Sequence, residues 1–498
     1  MLHVTTMVSC GHTERSRPTP VRGRLDRNIN VKKPWLAASL ISVTAVIGLA
    51  GVHHEAHMGL VRGLSSFRAA LPPGTTFTYG TATPSILALG ATLTDITLRD
   101  GSITLRASQM RLGHPRSLPD GRLSIRGVEV REPFLQTPTQ IIHGSTLSLR
   151  KLILPKAREA AEGHSRIDLA HVTLAHGQIE QLSIQNLAQS SPPAPVNVHS
   201  LFTRRLIVDN YGPALLTTLR ADAATVAYER TLQAPGHDPQ LVSGQASLER
   251  LDLKQVDLAA QVAALWDHLP LPSQMAPPQS FAAHNFRLNM TSGLFRLDDL
   301  HGTGTLENQI ATVTQDLKGF HFQSDEKLPF HINGAGSTAH YVQVSNLADH
   351  TSRTNATLAV PGFMTLTADA RTIQTDFTER HPSQQQLLQS TALQNITISL
   401  QGDRLLDAGF LLAARQIGNG TTAEQIREQT AQVLQAGLSA NPALAAIPDY
   451  VEHPAGRTLT VTYASATPMS LTALNAAMSS PAAMLTFLAS PDLKAFAQ

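Results

Sequence analysis

The sequence predicts a mainly β protein. We expect an extended antiparallel meander that forms a β-groove body, an N-terminal transmembrane helix before it and a small α+β region at the C-terminal end. Three observations support this prediction. Short runs of alternating apolar and polar residues recur between turn residues from about position 75 to 400, one long apolar segment covers residues 34–52, and helical spacing with caps is concentrated in residues 409–498.

The apolar segment at residues 34–52 (PWLAASLISVTAVIGLAGV) is predicted to be a membrane anchor. At about 1.5 Å per helical residue it spans roughly 28 Å, close to the thickness of a bilayer's hydrocarbon core. Residues 1–33 contain seven basic and two acidic residues, a net charge of +5. Because basic residues stay on the cytoplasmic side, the sequence predicts a single-pass membrane protein with a cytoplasmic N-terminus and a body on the other side of the membrane. A cleavable signal peptide that ends near Gly48-Leu49-Ala50 is the alternative.

Charge and cysteine content exclude two classes of protein. The whole chain has a net charge of +2, but residues 34–498 hold 32 basic and 35 acidic groups, a net of −3. The basic excess therefore lies in the arm at residues 1–33, and the body is not expected to bind nucleic acid. Cys10 is the single cysteine and lies in that arm, so no disulfide framework stabilises the body.

The meander is predicted from alternation and turn signals. Asp100-Gly101 separates an alternating run with Ile96 and Leu98 from one with Ile103 and Leu105. Asp-Gly between such runs predicts a two-residue hairpin turn in which both turn positions have positive φ. The same logic predicts strands around Leu123 and Ile125, Val128 and Val130, Leu147 and Leu149, Val172 and Leu174, Ile179, Phe286 to Met290, and Ile396 to Leu400.

Composition breaks divide the body into regions. A first β-meander region is predicted at residues 53–268, a Pro-rich linker at 269–280, a second β-meander region at 281–408 and the α+β region at 409–498. One helix is predicted before the linker, because Leu258, Val262, Leu265, Trp266 and Leu269 form an apolar stripe.

The C-terminal region has explicit helix signals. Thr422 and Gln425 form a capping box, and Gly437 is the predicted end of that helix. Ile426, Val433 and Leu434 are predicted to share one face of this helix. Three further short helices are predicted to start at Asn441-Pro442, Ser470 and Ser480-Pro481, and a strand is predicted at Leu459, Val461 and Tyr463.

No motif for catalysis or cofactor binding with a fixed spacing is present in the sequence. It contains no G-x-S-x-G, H-E-x-x-H, P-loop or CxxC pattern. The pairs Asp298-Asp299 and Glu424 with Glu428 are interpreted as solvated surface. The glycines of segments 302–304 and 334–336 are interpreted as marks of bulges or bends in strand-like surroundings. We therefore predict no catalytic residue, no cofactor and no enzymatic activity.

Histidines are the remaining candidates for metal ligands. His53, His54 and His57, with Glu55, are the densest group, and we interpret them as a polar cap on the membrane anchor rather than a metal site. Histidines in the body, such as His171, His176, His321 and His331, show no partner at a recognisable spacing. The sequence thus predicts no metal site.

The strongest functional signal is collective. A long meander with few helices must either fold onto itself or leave an apolar trough that accommodates a ligand. Aromatic residues concentrate after the linker, at Phe281, Phe286, Phe295, Phe320, Phe322 and Phe330. Phe286, Leu288 and Leu297 are the candidate residues for an apolar groove, or for the core beside it.

The chain resembles the AsmA-like envelope proteins of Gram-negative bacteria. The segments LTDITLRDGSITLRASQMRLG and GRLSIRGVEV resemble that family's repeated strand pattern, and the ending from GRTLTVTYASATPMS to AAMLTFL is similar to uncharacterised, membrane-anchored alphaproteobacterial proteins. The resemblance implies a periplasmic body on one N-terminal anchor and a role in lipid handling along an apolar β-groove. It supplies no catalytic residue.

Three functional hypotheses follow. The first is a non-enzymatic, inner-membrane-anchored periplasmic protein that binds or shields lipids. The second is an envelope scaffold with a closed β core that binds other proteins through sheet edges or C-terminal helices. The third is a periplasmic hydrolase with an unrecognised site.

Overall fold

The computed structural model describes residues 60–62, 64–65, 68, 74–85, 90–155, 158–159, 165–166, 171–187, 196–232, 240–266, 279–290, 293–324, 334–374, 390–418, 420–477 and 481–498. The chain divides into two compact units between Pro272 and Ser273. The prediction of a mainly β protein built from antiparallel strands is confirmed.

Among the described residues, the first unit contains a long antiparallel sheet, a separate pair of two-residue strands, and helical residues both before and after the sheet. Its elements are β1 Thr76–Thr78, β2 Ala82–Ser85, β3 Gly90–Asp100, β4 Ile103–Ser117, β5 Leu123–Arg131, β6 Phe134–Gln136, β7 Gln140–His143, β8 Thr146–Leu154, β9 Arg158–Glu159, β10 Ser165–Arg166, β11 Leu174–Asn186, β12 Val196–Tyr211, β13 Thr217–Leu232, β14 Gln240–Val256 and α1 Leu258–Trp266. The predicted strands in this region are all present.

Strands of the first unit pair mostly in chain order, except between β4 and β11, where β5 and β6 occupy one row of the sheet and β7 and β8 the next. β1 and β2 both pair with β3, and β3 pairs with β4. β4 then pairs with β5 at one end and β6 at the other, and these pair with β8 and β7 respectively. Both β7 and β8 pair with β11, after which β12, β13 and β14 follow in sequence.

The hairpin predicted at Asp100-Gly101 exists, but its turn is shifted by one residue. Asp100 pairs directly with Ile103, so the two central residues are Gly101 and Ser102. Of these, Gly101 alone has positive φ, at 56°. The prediction that both turn positions have positive φ is therefore wrong. Glycine at the first central position is the requirement of a type II′ turn, whose twist also matches that of a hairpin.

A line of backbone kinks crosses the first unit from β3 to β14. Each successive row of the sheet contributes one residue to this line, and each of these residues lies opposite the next, eight residues in all. They are Asp95, Ser108, Glu132, Ser145, Gln181, Arg204, Ala223 and Glu249. Every second one has positive φ, between 50° and 52°: Asp95, Glu132, Gln181 and Ala223. We call this row the kink line.

The kinks change which residues face the core. In β3, Ala91 and Leu93 are buried before the kink, and Ile96 and Leu98 are buried after it. Side chains of a regular strand alternate with a period of two, so the alternation here has shifted by one residue at Asp95. The apolar residues consequently follow an i, i+2, i+5, i+7 spacing. Simple alternation does not predict this spacing, but it keeps all four side chains on one face.

The core of the first unit is continuous from β1 to β8. Leu93, Met110, Ile125 and Val130 are fully buried, at 0% exposure. Leu60 and Leu64, from a helical segment that precedes the sheet, belong to the same cluster. Helical residues thus cover part of the apolar face here.

The second unit is a meander of nine strands with helices in its C-terminal part. Its elements are β15 Gln279–Met290, β16 Gly293–Glu307, β17 Ile310–Ser324, β18 Thr338–Asn346, β19 Thr351–Val360, β20 Met364–Gln374, β21 Thr391–Gln401, α2 Asp403–Ile417, α3 Ala423–Gly437, a 3₁₀ turn Pro442–Leu444, α4 Ala446–Glu452, β22 Thr458–Ser470, α5 Leu471–Ala477, α6 Pro481–Leu488 and β23 Leu493–Ala497. Each strand pairs with the next in sequence from β15 to β23.

The C-terminal helices begin where their caps predict. The Thr422 side chain accepts from the backbone N–H of Gln425, and the Gln425 side chain accepts from that of Thr422, so the capping box is confirmed. Asn441 caps the 3₁₀ turn, and α5 and α6 follow Ser470 and Ser480 as predicted.

The structure adds two features that the sequence signals did not predict. Of the three apolar residues predicted to share a face of α3, Ile426 is buried, at 8% exposure, whereas Val433 is 71% exposed. The second feature is α2, for which no helix signal was found. That helix starts after Gly402, which has no side chain to cap it, so the usual N-terminal signal is missing.

Within the described residues, no helix combines the length and the apolar character needed to span a bilayer. The predicted anchor at residues 34–52 and the histidines at 53, 54 and 57 lie outside those residues. Most of the predicted linker, residues 269–278, lies outside them as well.

Candidate functional site

The predicted groove residues lie on one face of the hairpin formed by β15 and β16. Phe286 pairs directly with Leu297, and Leu288 pairs with Phe295. Directly opposite residues in an antiparallel pair point to the same face, as do residues two positions apart on one strand. The structure therefore places Phe286, Leu288 and Leu297 together.

The third strand extends this face. In β17, Phe320 lies opposite Leu297 and Phe322 lies opposite Phe295. The six side chains form two adjacent columns across three strands. We call these residues the aromatic face: Phe286, Leu288, Phe295, Leu297, Phe320 and Phe322.

A kink positions the aromatic face. Asn285 in β15 and Gly319 in β17 have positive φ, at 50° and 66°, and flank Asp298 of β16 in register. As in the first unit, the apolar alternation shifts by one residue at this point. Phe281 and Ala283 precede the kink, and Phe286 and Leu288 follow it with the same i, i+2, i+5, i+7 spacing.

The aromatic face is half open. Leu297 is buried, at 6% exposure, whereas Phe322 keeps 44% of its surface exposed. Phe286, Leu288, Phe295 and Phe320 are half-buried. Phe286 and Phe295 contact edge to face, with ring centroids 6.4 Å apart. Partly exposed aromatic rings beside a buried leucine form an apolar surface that an acyl chain can contact.

The opposite face of the same strands is polar and carries histidine–aspartate pairs. His284 and Asp299 are direct cross-strand partners, and Nδ1 of His284 donates to Oδ1 of Asp299 over 2.6 Å. His340 and Asp316 form the same pair between β18 and β17, over 2.7 Å. In the first unit, His176, for which no partner was predicted, pairs in this way with Asp209 over 2.6 Å.

One of the histidine–aspartate pairs is predictable from the sequence. Residues at equal distances from a two-residue turn lie opposite each other in a hairpin. His284 and Asp299 lie at equal distances from residues 291–292, which connect β15 to β16. The register of the strands that carry the other two pairs, His340 with Asp316 and His176 with Asp209, cannot be read from the spacing of turn residues.

Arginine–aspartate pairs join neighbouring strands of the first unit. Arg205 binds Asp222 over 2.5 Å, and Asp252 accepts from both Arg220 and Arg250, at 2.9 and 2.5 Å. Burial acts to raise the pKa of Asp252, but the hydrogen bonds from Arg250 and Arg220 outweigh it and leave that pKa below its usual value. These groups cross-link β12, β13 and β14.

The carboxylate pairs considered for acid–base chemistry have ordinary surface partners. Asp298 lies 3.7 Å from Arg296, Asp299 binds His284, and Glu424 lies 3.6 Å from Arg427 on the next turn of α3. Gly302 to Gly304 lie within β16, as the strand interpretation predicted, and the ring of Phe281 occupies the space that a side chain at Gly302 would need.

A family model described as an uncharacterized protein matches residues 342–491, which run from within β18 to just after α6. No curated protein matches the chain.

Proposed function

We propose that this chain is a non-enzymatic envelope protein, anchored in the inner membrane by residues 34–52, whose periplasmic β-body binds a lipid through one acyl chain on the aromatic face. The observation that carries this proposal is the partial exposure of that face: Phe322 is 44% exposed beside Leu297 at 6%. An apolar surface of this kind gains roughly 25 cal/mol for each Å² that a ligand covers.

The dimensions of the aromatic face favour a single acyl chain as the ligand. It is two side chains wide along each strand and three strands across. Strands in a sheet are about 4.8 Å apart, so three strands give a strip of roughly 10 Å between the outer two. A strip of this width is wide enough for one extended acyl chain, whereas it is too narrow to lie against the flat surface of a membrane. The predicted anchor would supply the ligand by holding the body next to a bilayer.

The proposal is tested by mass spectrometry of lipids that co-purify with the detergent-extracted full chain. The informative variant is Phe322→Asp, because an exposed position tolerates a charge while an acyl chain does not. Phe496→Asp is the matched control, since Phe496 in β23 has a similar exposure of 45%. We expect bound lipid in the wild type and in Phe496→Asp, and its loss in Phe322→Asp. Lipid-free wild-type protein would contradict the proposal, as would equal lipid content in all three.

The proposed location has a separate test. Alkaline phosphatase fused after Gln498 should be active, because the net charge of +5 in residues 1–33 holds the N-terminus inside. Carbonate extraction should leave the protein in the membrane fraction. An inactive fusion would place the body in the cytoplasm, and release by carbonate would indicate a cleaved signal peptide.

A scaffold role is the second candidate, and one observation favours it. Strand β23 has one neighbour, β22, among the strands that the structure describes, and Phe496 on it is 45% exposed. A strand with unpaired backbone groups can add a strand from another protein. Deletion of residues 493–498 should abolish partner capture if this role is correct, and should leave lipid content unchanged.

A further inference from the structure

We propose that His284, Asp299 and His301 form a binding site for a divalent transition-metal ion on the polar face of β15 and β16. Each of the three residues offers one ligand atom, and these atoms all lie within 4.8 Å of one another. Two imidazoles and a carboxylate are ligands that Zn²⁺ and its first-row neighbours prefer.

The hairpin brings the three side chains together. His284 in β15 is the direct partner of Asp299 in β16, and His301 lies two residues further along β16 on the same face. The rings of His284 and His301 contact edge to face, with centroids 5.4 Å apart. No long loop or flexible segment is needed to assemble the ligands, because they all project from two paired strands.

The geometry requires only a small adjustment. Two ligand atoms about 2.0 Å from a tetrahedral ion lie about 3.3 Å apart. For both atoms to bind one ion, the proton on Nδ1 of His284 would have to leave, so that the neutral ring carries its hydrogen on Nε2 instead. Nδ1 of His284 and Oδ1 of Asp299 are 2.6 Å apart, so they would also separate by several tenths of an ångström. The side chains of His284 and Asp299 are 34% and 39% exposed, which leaves them free to rotate and leaves room for water as a further ligand.

Neighbouring groups support the site from the next strand. Asp316 of β17 lies directly opposite His301 in register, and its carboxylate accepts from Nδ1 of His340 over 2.7 Å. Carboxylates next to metal-bound imidazoles commonly fix the ring orientation and raise ligand affinity. Asp316 is therefore placed to orient His301 once an ion is bound.

The pair His176 and Asp209 provides an internal comparison. Its cross-strand geometry is the same, with a 2.6 Å hydrogen bond and similar exposure. Across the described part of the chain, His284, Asp299 and His301 are the group of three that meets the distance condition for a metal ion. If the third ligand makes the site, the His176 pair should bind metal much more weakly.

The test is a Zn²⁺ titration of the full chain in detergent, in competition with a chromophoric chelator. The variants are His284→Gln and His301→Gln, and His176→Gln is the matched control. Loss of a supporting residue beside a metal commonly costs 10- to 100-fold in affinity, so loss of a ligand should weaken the tightest site by at least about tenfold. The control should bind Zn²⁺ as tightly as the wild type does. That result would show that removing a histidine elsewhere in the chain, which has 21 of them, does not by itself weaken the tightest site.

Thermal denaturation gives a second readout that does not depend on stoichiometry. An ion that binds only the folded state stabilises it, so Zn²⁺ should raise the Tm of the wild type and of His176→Gln more than that of His301→Gln. Circular dichroism without metal checks that the variants fold. Equal Zn²⁺ affinity in all four proteins would overturn the proposal, and so would a loss in His176→Gln as large as in His301→Gln.

Discussion

Strands β3–β5 and strands β15–β17 carry the same spacing of apolar residues in different surroundings. In β3, Leu93 and Ile96 flank the kink at 0% and 1% exposure. In β17, Leu317 and Phe320 flank the kink at Gly319 and are half-buried, and Phe322 beyond them is 44% exposed. The apolar pattern thus determines which face of the sheet is apolar, but it does not determine whether that face is covered.

Part of what covers the first region lies outside its strands. Leu60 and Leu64 pack into the core under β1–β8, at 2% and 1% exposure. Arg68, in the same helical segment, donates from Nε to the carbonyl of Phe77 over 3.1 Å and lies over the ring of Tyr79. Burial of the apolar face of a meander therefore depends in part on residues outside its strands.

We expect the largest loss of folding stability where a charge is introduced at a buried position. Ile125→Asp places a carboxylate at a site with 0% exposure, and Leu297→Asp does the same at 6%. Both should destabilise their unit by more than about 4 kcal/mol, because the charge has neither solvent nor a partner. Phe322→Asp should cost less than about 1.5 kcal/mol because the new carboxylate reaches water. Thermal denaturation followed by circular dichroism measures all three, and equal losses would show that the aromatic face is sealed.

Backbone strain gives the next largest effect. Gly319 has φ of 66°, and a Cβ there would come within 2.0 Å of Oδ2 of Asp298, so Gly319→Val should destabilise by about 3 kcal/mol or more. Gly101 also has positive φ, at 56°, but has open space around it, so Gly101→Val should cost about 1 to 3 kcal/mol.

Ser102→Val is the control for the turn, since φ of Ser102 is not positive. It should change the free energy of unfolding by no more than about 0.5 kcal/mol. If Gly319→Val costs less than Gly101→Val, the kink in β17 is not fixed by its surroundings, and the alignment of the aromatic face would need another cause.

A smaller, pH-dependent effect is expected at Asp252, whose paired carboxylate belongs to the first unit. Its pKa is lower in the folded chain than the unfolded value of about 3.9. The stabilisation is therefore present above pH 4 and is lost as the pH falls through the folded pKa. Asp252→Asn should cost about 1 to 2 kcal/mol at pH 7, and the difference from the wild type should shrink below about pH 4. A difference that stays constant down to pH 2 would mean that the carboxylate's charge contributes nothing.

Sequence reasoning predicted local features well and long-range ones poorly. The capping box at Thr422, the turn near Gly101 and the strands were predictable because their signals lie within a few residues. The kink line was not, because Glu132, Gln181 and Ala223 are residue types that rarely adopt positive φ, and the line appears only when strands are placed in register. Leu297 shows the same limit: the pattern placed it on the apolar face, but its burial depends on neighbours in β15 and β17.

We expect the same apolar pattern to be covered by protein on β3–β5 and accessible to an acyl chain on β15–β17. Photo-crosslinking with a diazirine-bearing fatty acid, followed by peptide mass spectrometry of the full chain, tests it most directly. We predict label on peptides that contain Phe295 and Phe322, and none on peptides from residues 91–130. Label on residues 91–130, or an absence of label at Phe295 and Phe322 in protein that remains folded, would contradict the account.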